Sequence, residues 1–552
     1  MNGAQALMKT LVDAGIEVCF SNPGTSEMHF VAALDDEPKM KAVLALFEGV
    51  ATGAADGYAR MADKPAAVLL HLGVGIGNGM ANLHNARKGK VPVVNIVGDH
   101  ATYHVKYNAQ LQSDIETVAR NVSPEFTRTS KTTAELSNDT VDAIVSATSL
   151  PNKVSTLILP ADVSWGEGGI PAKLPATVAP DLASDEQVAE AVAAIKSGKK
   201  VAFLLGRHAL REQALIIASK IGEHSNVKLF HETFPTRQER GAGLPNPEKI
   251  AYLAELVGVQ LADIDHLILV DCKAPVSFFA YPGKQSYLVP EGCQVHTLCR
   301  DDQEAKGSLE KLMKALGAEH TAPALQPAVR PSRPKGRRLT AEKVCKSLGH
   351  LLPENAIIID ESITSGLMLM KMTEGCPRHD YITLTGGGIG QGTPNAVGAA
   401  VACPDRPVIA LIGDGTSMYT IQSLWTMAHE GLDVTVIIFN NASYSVLNIE
   451  LERVGAEKIG EKALSQLDLN GPVINFAQMA QSMGVHGTRV QTAEDMNKAL
   501  EYALSHKGPH LIEAMVPEAL NGVKRKVLPW MLRSLPKLPL GVTRALKKKI
   551  AP

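Results

Sequence analysis

The sequence has few of the features that mark secreted or membrane proteins. Its seven cysteines are odd in number, are scattered along the chain and form no CxxC motif. This argues against a disulfide framework and favours a reducing compartment. The N-terminal stretch MNGAQALMKTLVDAG lacks the basic and apolar regions of a signal peptide, and no apolar run is long enough to span a bilayer. We therefore expect a cytoplasmic protein.

The sequence also lacks an excess of charge of either sign. It has 55 Lys and Arg residues against 57 Asp and Glu residues, a net charge of −2, so no strong field attracts nucleic acid or a membrane. Hydrophobic residues make up 45% of the chain, as in globular proteins. A length of 552 residues is too great for one ordinary domain. These properties predict a multi-domain enzyme with no nucleic-acid partner.

What the sequence does contain is an alternation of short apolar runs with segments long enough for helices. This rhythm predicts parallel β-sheets covered by helices on both faces. The runs lie at 66–72, 92–98, 155–161, 201–206, 266–271, 355–360, 407–413, 434–440 and 510–516.

Two proline-rich stretches, 171–182 and 322–336, break this rhythm and are typical of inter-domain linkers. They predict an α/β protein with three doubly wound parallel-sheet domains followed by a basic tail. The predicted limits are 1–170, 183–321, 337–522 and, for the tail, 523–552.

Polar side chains follow two of the predicted strands directly. Asp414 follows the run at 407–413, and Asn441 follows the run at 434–440. If these strands are neighbours, both side chains leave the same edge of the sheet, where open parallel sheets bind ligands. Each supplies a hard oxygen of the kind that Mg²⁺ prefers. The pair therefore predicts a metal site, although Gly-Asp-Gly alone is also common in ordinary turns.

The glycines on either side of Asp414 favour the binding of a phosphate group. Gly413 and Gly415 allow a tight turn and a close approach of the backbone. Helical apolar spacing over 419–430 predicts a helix whose first amides point at an anion.

The spacing from Gly-Asp-Gly to the Asn pair resembles the thiamine-diphosphate (ThDP) motif. On it, the chain is identified as a member of the ThDP-dependent 2-oxo acid decarboxylases and carboligases. The resemblance implies that Mg²⁺ is bound by the Asp414 and Asn441 side chains and the Ser443 carbonyl. It also implies that the diphosphate lies against Gly413, Gly415 and Thr416.

Two further segments match the same family. In LALFEGVATGAADGYAR (44–60), the resemblance implies that Glu48 contacts the cofactor pyrimidine and activates it; the alternative is a structural carboxylate at a helix start. In TLTGGGIGQGTPNAVGAA (383–400), it implies that Ile389 bends the cofactor and that the Gly387 carbonyl accepts its amino group. The alternative there is a glycine-rich loop without a ligand.

The resemblance implies a role for each of the three domains and an assembly of several subunits. In chain order, the three domains would be a pyrimidine-binding domain, a middle Rossmann-like domain and a diphosphate-binding domain. The pyrimidine domain of one subunit faces the diphosphate domain of another, so a homodimer or homotetramer with active sites between subunits is implied. In the middle domain, 201–212 lacks G-x-G-x-x-G, and we expect no FAD there.

Part of the predicted substrate pocket, in the first domain, resembles that of benzoylformate decarboxylases. Thr25 and His71 fall on positions that contact the substrate carboxylate and transfer protons in those enzymes; the alternative for His71 is a hydrogen-bonded core residue. The middle-domain histidine of those enzymes is missing, and Phe279 or Ala280 lies near its position. The remaining predicted pocket residues, two of which favour a more polar substrate, are Gln110, Val446, Leu447 and Glu450.

The basic tail has three alternative interpretations. It is a surface segment packed on a neighbour, a lid over the active site that attracts a carboxylate, or, less favoured, a membrane-surface segment. Prolines at 529, 536 and 539 forbid one continuous helix.

These patterns together predict a ThDP- and Mg²⁺-dependent lyase that decarboxylates a 2-oxo acid without oxidation and releases an aldehyde or carries out carboligation. The alternative enzyme is a carboligase (transferase) of the acetolactate synthase type, because the chain also resembles proteins labelled acetolactate synthase large subunit. The non-enzymatic alternative is a ThDP-binding regulatory paralogue.

Overall fold

The computed structural model describes residues 1–176, 178–454, 460–518 and 538–550. It contains three β-sheets, each dominated by parallel strands and flanked by helices. The predicted fold class, α/β with three doubly wound sheets, is confirmed. The predicted limits of the three domains stay predictions.

The first sheet has six parallel strands in the order β2-β1-β3-β4-β6-β5. Its strands are β1 Val18–Asn22, β2 Lys41–Leu44, β3 Ala66–Leu70, β4 Val93–Asp99, β5 Thr127–Thr129 and β6 Val154–Pro160. Its helices are α1 Gly3–Asp13, α2 Met28–Ala33, α3 Glu48–Ala62, α4 Leu72–Gly89, α5 Ile115–Arg120, α6 Thr133–Thr148 and α7 Ala161–Trp165.

The second sheet has five parallel strands in the order β10-β8-β7-β11-β12. The strands of this part of the chain are β7 Val201–Leu205, β8 Lys228–His231, β9 Gln238–Arg240, β10 Glu248–Lys249, β11 His266–Val270 and β12 Gln294–Cys299. The helices are α8 Asp185–Ile195, α9 Glu212–Ser225, α10 Ala254–Leu261 and α11 Ala305–Leu316. Strand β9 is not part of this sheet; it pairs with β14 (His379–Thr383) in the third sheet.

The third sheet has seven strands in the order β17-β18-β16-β15-β13-β14-β9, and only β9 is antiparallel to its neighbour. Its other strands are β13 Ala356–Glu361, β14 His379–Thr383, β15 Val408–Gly413, β16 Val434–Asn440, β17 His486–Val490 and β18 His510–Met515. The helices are α12 Ala341–Leu351, α13 Leu369–Thr373, α14 Gly392–Ala402, α15 Asp414–Ser417, α16 Ser423–His429, α17 Ser445–Arg453, α18 Glu461–Ser465, α19 Phe476–Ser482, α20 Ala493–Ser505 and α21 Leu540–Ile550.

Each apolar run predicted from the sequence contains a strand. The strands that were not predicted are short or carry polar residues, and six of them lie at sheet edges: β2, β5, β9, β10, β12 and β17. An edge strand is covered less completely, so its sequence needs no continuous apolar run.

Helices α3 and α14 pack closely and join the first sheet to the third. The side of α3 that faces α14 carries a buried ion pair, in which Arg60 Nε donates to Asp56 Oδ1 at 2.8 Å. Asp56 also accepts from Asn395 Nδ2 at 3.2 Å, and Arg60 Nη1 donates to the Thr383 carbonyl at 2.9 Å. These bonds satisfy the buried charges and fix the relative position of the two sheets.

The described part of the basic tail is helix α21, which packs against α10. Leu540 and Leu546 contact Leu256 and Val259, and Lys547 Nζ donates to Glu248 Oε1 at 3.0 Å. The other tail residues, 523–537 and 551–552, lie outside the described residues, so the predicted lid and membrane segment are not addressed there. No helix in the described ranges is long and apolar enough to cross a membrane.

Candidate active site

The predicted metal site lies where β15 and β16 end side by side. The two strands pair in parallel, with Gly413 opposite Phe439, so they are the neighbours that the sequence suggested. Asp414 follows β15, and its Oδ2 accepts from the amides of Asn441 at 3.0 Å and Ala442 at 2.6 Å. The carboxylate therefore ties the two strand ends together.

The donor set at this edge fits a hard divalent cation. Asp414 is buried, which raises the pKa of its carboxyl, while backbone N–H donors, led by Gly415, oppose that rise. The carboxylate accepts three N–H bonds in all, which leaves one of its about four acceptor positions free. Asn441 Oδ1 accepts from the Ser443 amide at 2.9 Å and keeps a second lone pair. These oxygens and the Ser443 carbonyl have the chemistry that Mg²⁺ prefers, and Mg²⁺ itself stays a prediction.

The helix predicted over 419–430 is shorter than expected. The structure has the four-residue helix α15, which begins at Asp414, then a turn, and then α16 from Ser423. The amides at the end of β15 therefore belong to α15, because this helix begins directly after Gly413 with no loop between strand and helix.

All predicted residues of the third domain line one cavity of about 1660 Å³. These residues are Gly387, Ile389, Gly413, Asp414, Gly415, Thr416, Asn441, Ser443, Val446, Leu447 and Glu450. The cavity also includes Ser362 and Thr364, which the sequence argument missed. They lie two and four residues after the apolar run at 355–360. The rule that singled out Asp414 would have found Glu361, which directly follows that run and also lines the cavity.

The glycine-rich loop that carries Ile389 is held by a buried carboxylate. Glu361, the last residue of β13, accepts from the amides of Gly390 at 2.7 Å, Gln391 at 3.2 Å and Gly392 at 2.6 Å. Burial raises the pKa of Glu361 to about 7, and these N–H donors oppose the rise. Glu361 thereby fixes both the loop and the start of α14.

The raised pKa of Glu361 predicts a pH-dependent effect of the variant Glu361→Gln. A folded pKa of about 7 above the usual 4.5 means that the stability from this group is complete below pH 4.5 and is lost as the pH rises through 7. We expect the free energy of unfolding of the wild type, relative to the variant, to fall by on the order of 3 kcal/mol between pH 4.5 and 8.

Urea unfolding across this pH range measures the effect. The matched control is Glu354→Gln, because Glu354 is an exposed acid shortly before the same strand. A difference between wild type and Glu361→Gln that stays constant or grows with pH would contradict the assignment.

Glu48 is the first residue of α3 and is buried against α4. Its Oε2 accepts from Asn78 Nδ2 at 3.0 Å. Its Oε1 lies 3.6 Å from the position that a Cβ atom would take at Gly75, so the small residue gives the carboxylate room. The structural role at a helix start and a cofactor role are both compatible with this placement.

His71 lies at the N-terminus of α4 and faces a buried acid that the sequence argument missed. Its Nδ1 lies 2.8 Å from Glu27 Oε2, and Ser26 Oγ donates to Glu27 Oε1 at 2.7 Å. A Cβ atom at Gly24 would lie 2.3 Å from the ring of His71, so only glycine permits this approach. Glu27 orients the ring with Nδ1 toward the carboxylate and leaves Nε2 for another partner.

The first-domain residues predicted for the site do not line the cavity of their own chain. Thr25 and Gln110 are exposed, and neither they nor Glu48 and His71 belong to the described lining of that cavity. The structure of one chain thus holds two separate groups of predicted residues, one in the first domain and one in the third.

The far side of the cavity is formed by the middle domain. Phe279, one of the two residues predicted near the position of the missing histidine, lines it, as does the neighbouring Phe278, whereas Ala280 is not in the described lining. The carboxylate of Glu450 accepts from Tyr281 Oη at 2.6 Å and from Arg453 Nη1 at 2.9 Å. Glu450 is therefore already paired, which weakens the expectation that it favours a polar substrate.

Comparison with known families and proteins agrees with this geometry. Residues 1–119 match the thiamine pyrophosphate enzyme N-terminal TPP binding domain, and residues 365–514 match the C-terminal TPP binding domain. A Mycobacterium tuberculosis protein named "Putative acetolactate synthase large subunit IlvX" is 50% identical over 523 residues, 94% of this chain and 100% of the relative. Benzoylformate decarboxylase of Pseudomonas aeruginosa is 28% identical over 90% of this chain and 96% of its own length.

Two solved structures share the fold. The thiamine diphosphate-dependent 4-hydroxybenzoylformate decarboxylase of Rhodococcus jostii RHA1 superposes with a TM-score of 0.77 at 23% identity, over 94% of this chain and 99% of that one. Benzoylformate decarboxylase of Polynucleobacter necessarius superposes with a TM-score of 0.79 at 21% identity, over 94% and 100%.

Proposed function

Because the chain belongs to the thiamine-diphosphate-dependent enzyme family of decarboxylases and acetolactate synthase-like proteins, we propose that it decarboxylates a 2-oxo acid with ThDP and Mg²⁺ and releases an aldehyde. The observation that carries this proposal is the cavity in which the Asp414 and Asn441 oxygens, the glycine-rich loop and Ile389 meet. Bound ThDP supplies the electron sink that decarboxylation needs.

The residues of the third domain bind and orient the cofactor in this proposal. Asp414, Asn441 and the Ser443 carbonyl hold the metal, and Gly413, Gly415 and Thr416 lie against the diphosphate. Ile389 is a bulky apolar side chain on a loop that Glu361 holds through the Gly390 amide. It would therefore keep its position when it packs against the rings of the cofactor. The Gly387 carbonyl, on the same loop, would accept a hydrogen bond from the amino group of the cofactor.

The residues of the first domain handle protons. Glu48 would exchange a proton with the pyrimidine ring, and His71 Nε2 would exchange a proton with the substrate while Glu27 holds Nδ1. Thr25 contacts the substrate carboxylate through its hydroxyl. Their separation from the cavity of their own chain favours a homodimer or homotetramer, in which they complete the cavity of a neighbouring subunit.

A carboligase of the acetolactate synthase type is the second candidate. The name of the 50% identical relative, an acetolactate synthase large subunit, favours it. Phe278 and Phe279 favour it as well, because neither side chain can donate a proton from the part of the cavity wall that it forms, and carboligation needs no proton there. No FAD is expected in either case.

A screen for carbon dioxide release tests the proposal. The purified protein is supplied with ThDP and Mg²⁺ and offered aliphatic, aromatic and acidic 2-oxo acids, and products are identified by NMR. An aldehyde supports the decarboxylase, whereas acetolactate or another acyloin supports the carboligase. No turnover of any acid with ThDP demonstrably bound would contradict both and favour the non-catalytic paralogue. A flavin absorption band would contradict the expected absence of FAD.

A further inference from the structure

One lobe of the active-site cavity carries cations that the proposed chemistry does not use. It is formed by Phe234, Arg240, Lys249, Asp360 and Tyr381, and we call it the basic lobe. It lies where β9 and β10, from the middle part of the chain, meet β13 and β14 of the third sheet. Nothing in the roles proposed above involves Arg240 or Lys249.

Lys249 is a half-buried lysine that has no ion-pair partner among the residues that the structure describes. The neighbouring acid Glu248 is already paired with Lys228 at 2.9 Å and Lys547 at 3.0 Å. The charge of Asp360 acts on Lys249 and opposes the lowering of its pKa, but no ion pair joins the two side chains. Asp360 is itself engaged by the hydroxyl of Tyr381 and by the Ser362 amide at 3.1 Å. The ammonium group instead lies 5.8 Å from the centre of the Phe234 ring. An ammonium group withdrawn from water without a direct ion pair is costly unless an anion joins it.

Arg240 adds a second cation to the same lobe. It is fully buried over the ring of Tyr381, 5.6 Å from the ring centre. One of its N–H bonds reaches the Met370 carbonyl at 3.0 Å, but its Nε has no hydrogen-bond partner within the described part of the chain. Burial lowers the pKa of both Arg240 and Lys249, as expected where charge compensation is incomplete.

An aromatic wall connects the basic lobe to the site of reaction. The ring of Phe278 lies directly over Gly387, because a Cβ atom there would meet it at 2.5 Å. Phe278 is 5.8 Å from Phe234, ring centre to ring centre, and Phe234 in turn faces Lys249. A ligand that begins at the loop of Ile389 and ends at Lys249 must therefore pass along apolar rings.

We propose that the basic lobe, through Lys249, binds the distal anionic group of a 2-oxo acid substrate whose middle part is apolar. This inference rests on the proposed function and specifies its substrate class: a long-chain 2-oxo dicarboxylic acid or a related compound with a terminal anion. The apolar spacer lies against Phe278 and Phe234, and the terminal carboxylate pairs with the ammonium group of Lys249.

A matched substrate pair tests the inference in the holoenzyme. 2-Oxooctanoate and 2-oxosuberate have the same chain length and differ in the terminal carboxylate. We expect kcat/KM of the wild type to be higher for 2-oxosuberate by at least about tenfold, and the ratio to approach one in Lys249→Met with the rate on 2-oxooctanoate preserved. The control is Lys371→Met, because Lys371 lines the same cavity but is paired with Glu374 at 2.5 Å; it should keep the ratio of the wild type.

A binding measurement separates this inference from the proposed function. Suberate, which lacks the oxo group, is titrated calorimetrically into wild type and both variants. Binding that is lost in Lys249→Met and kept in Lys371→Met supports the basic lobe even if no 2-oxo acid is turned over, in which case the proposed function alone fails. Equal binding in all three proteins, no binding to the wild type, or a substrate ratio unchanged by Lys249→Met would overturn it. So would a loss of ThDP affinity in Lys249→Met, because Lys249 would then serve the diphosphate.

Discussion

Replacing Glu48 by glutamine is expected to lower turnover by about 10²–10⁴-fold while leaving the fold intact, since this is the usual contribution of a positioned acid or base. Glutamine has nearly the shape of glutamate, so the contact with Asn78 at 3.0 Å can be kept by the amide oxygen. What is lost is a side chain that can hold and release a proton beside the cofactor. The measurement is kcat on the best 2-oxo acid of the screen, together with ThDP affinity and the thermal unfolding midpoint.

The control for this variant is Glu167→Gln, an exposed acid of the same domain, which should keep full activity. If Glu48→Gln were fully active, the assignment of Glu48 would be wrong, and its role would be that of a carboxylate at a helix start. A variant that is inactive because it no longer folds would be recognised by its unfolding midpoint, and Glu48→Asp, which keeps the proton but shortens the side chain, would then test the role.

Mixing two inactive variants is expected to restore activity if the active site lies between subunits. In a hybrid dimer of Glu48→Gln and Asp414→Ala chains, one site carries both defects and the other carries neither. Random exchange of subunits in a two-fold symmetric dimer makes about half of the dimers hybrid, so activity should return to about one quarter of the wild-type value. The measurement is specific activity after dissociation and reassembly of an equimolar mixture.

The matched control mixes Asp414→Ala with Asn441→Ala. Both residues lie on the same cavity of the same chain, so every site of the hybrid carries one defect and no activity should return. Absence of restoration in the first mixture, with hybrid dimers shown by mass, would mean that Glu48 and Asp414 act within one chain. That outcome would contradict the placement of the active site between subunits.

The local patterns of the sequence were sufficient to select residues of the third domain that line one cavity; their role in cofactor binding stays a prediction. Asp414 and Asn441 could be found because each directly follows an apolar run, and parallel strands that are neighbours end at one edge. The same rule would have found Glu361, which directly follows the run at 355–360. The 419–430 helix was placed too early, because apolar spacing does not show that the chain makes a separate short helix and a turn first.

Other parts of the site depend on residues that are far apart along the chain. Glu27 becomes significant only because β1 and β3 lie side by side and bring it to His71. Glu361 can hold the loop of Gly390 only because β13 ends beneath that loop. The carboxylate of Glu450, which the sequence suggested as a substrate contact, is engaged by Arg453 and Tyr281. None of these contacts leaves a periodic signal in the residues themselves.

The sequence by itself determined the alternation of buried strands and helices, the cofactor motifs and their order, because these depend on apolar periodicity and on short spacings within one turn or one strand end. Only the tertiary structure decided which charges are paired and which stay free. It separated Glu48 and His71 from the cavity of their own chain, and it left Lys249 without an ion pair among the described residues, with Asp360 acting on it only through its charge. The physical reason is that the net effect of a charge depends on the distance to its partners and on its exposure to water, and both are set by segments that meet only when the domains pack together.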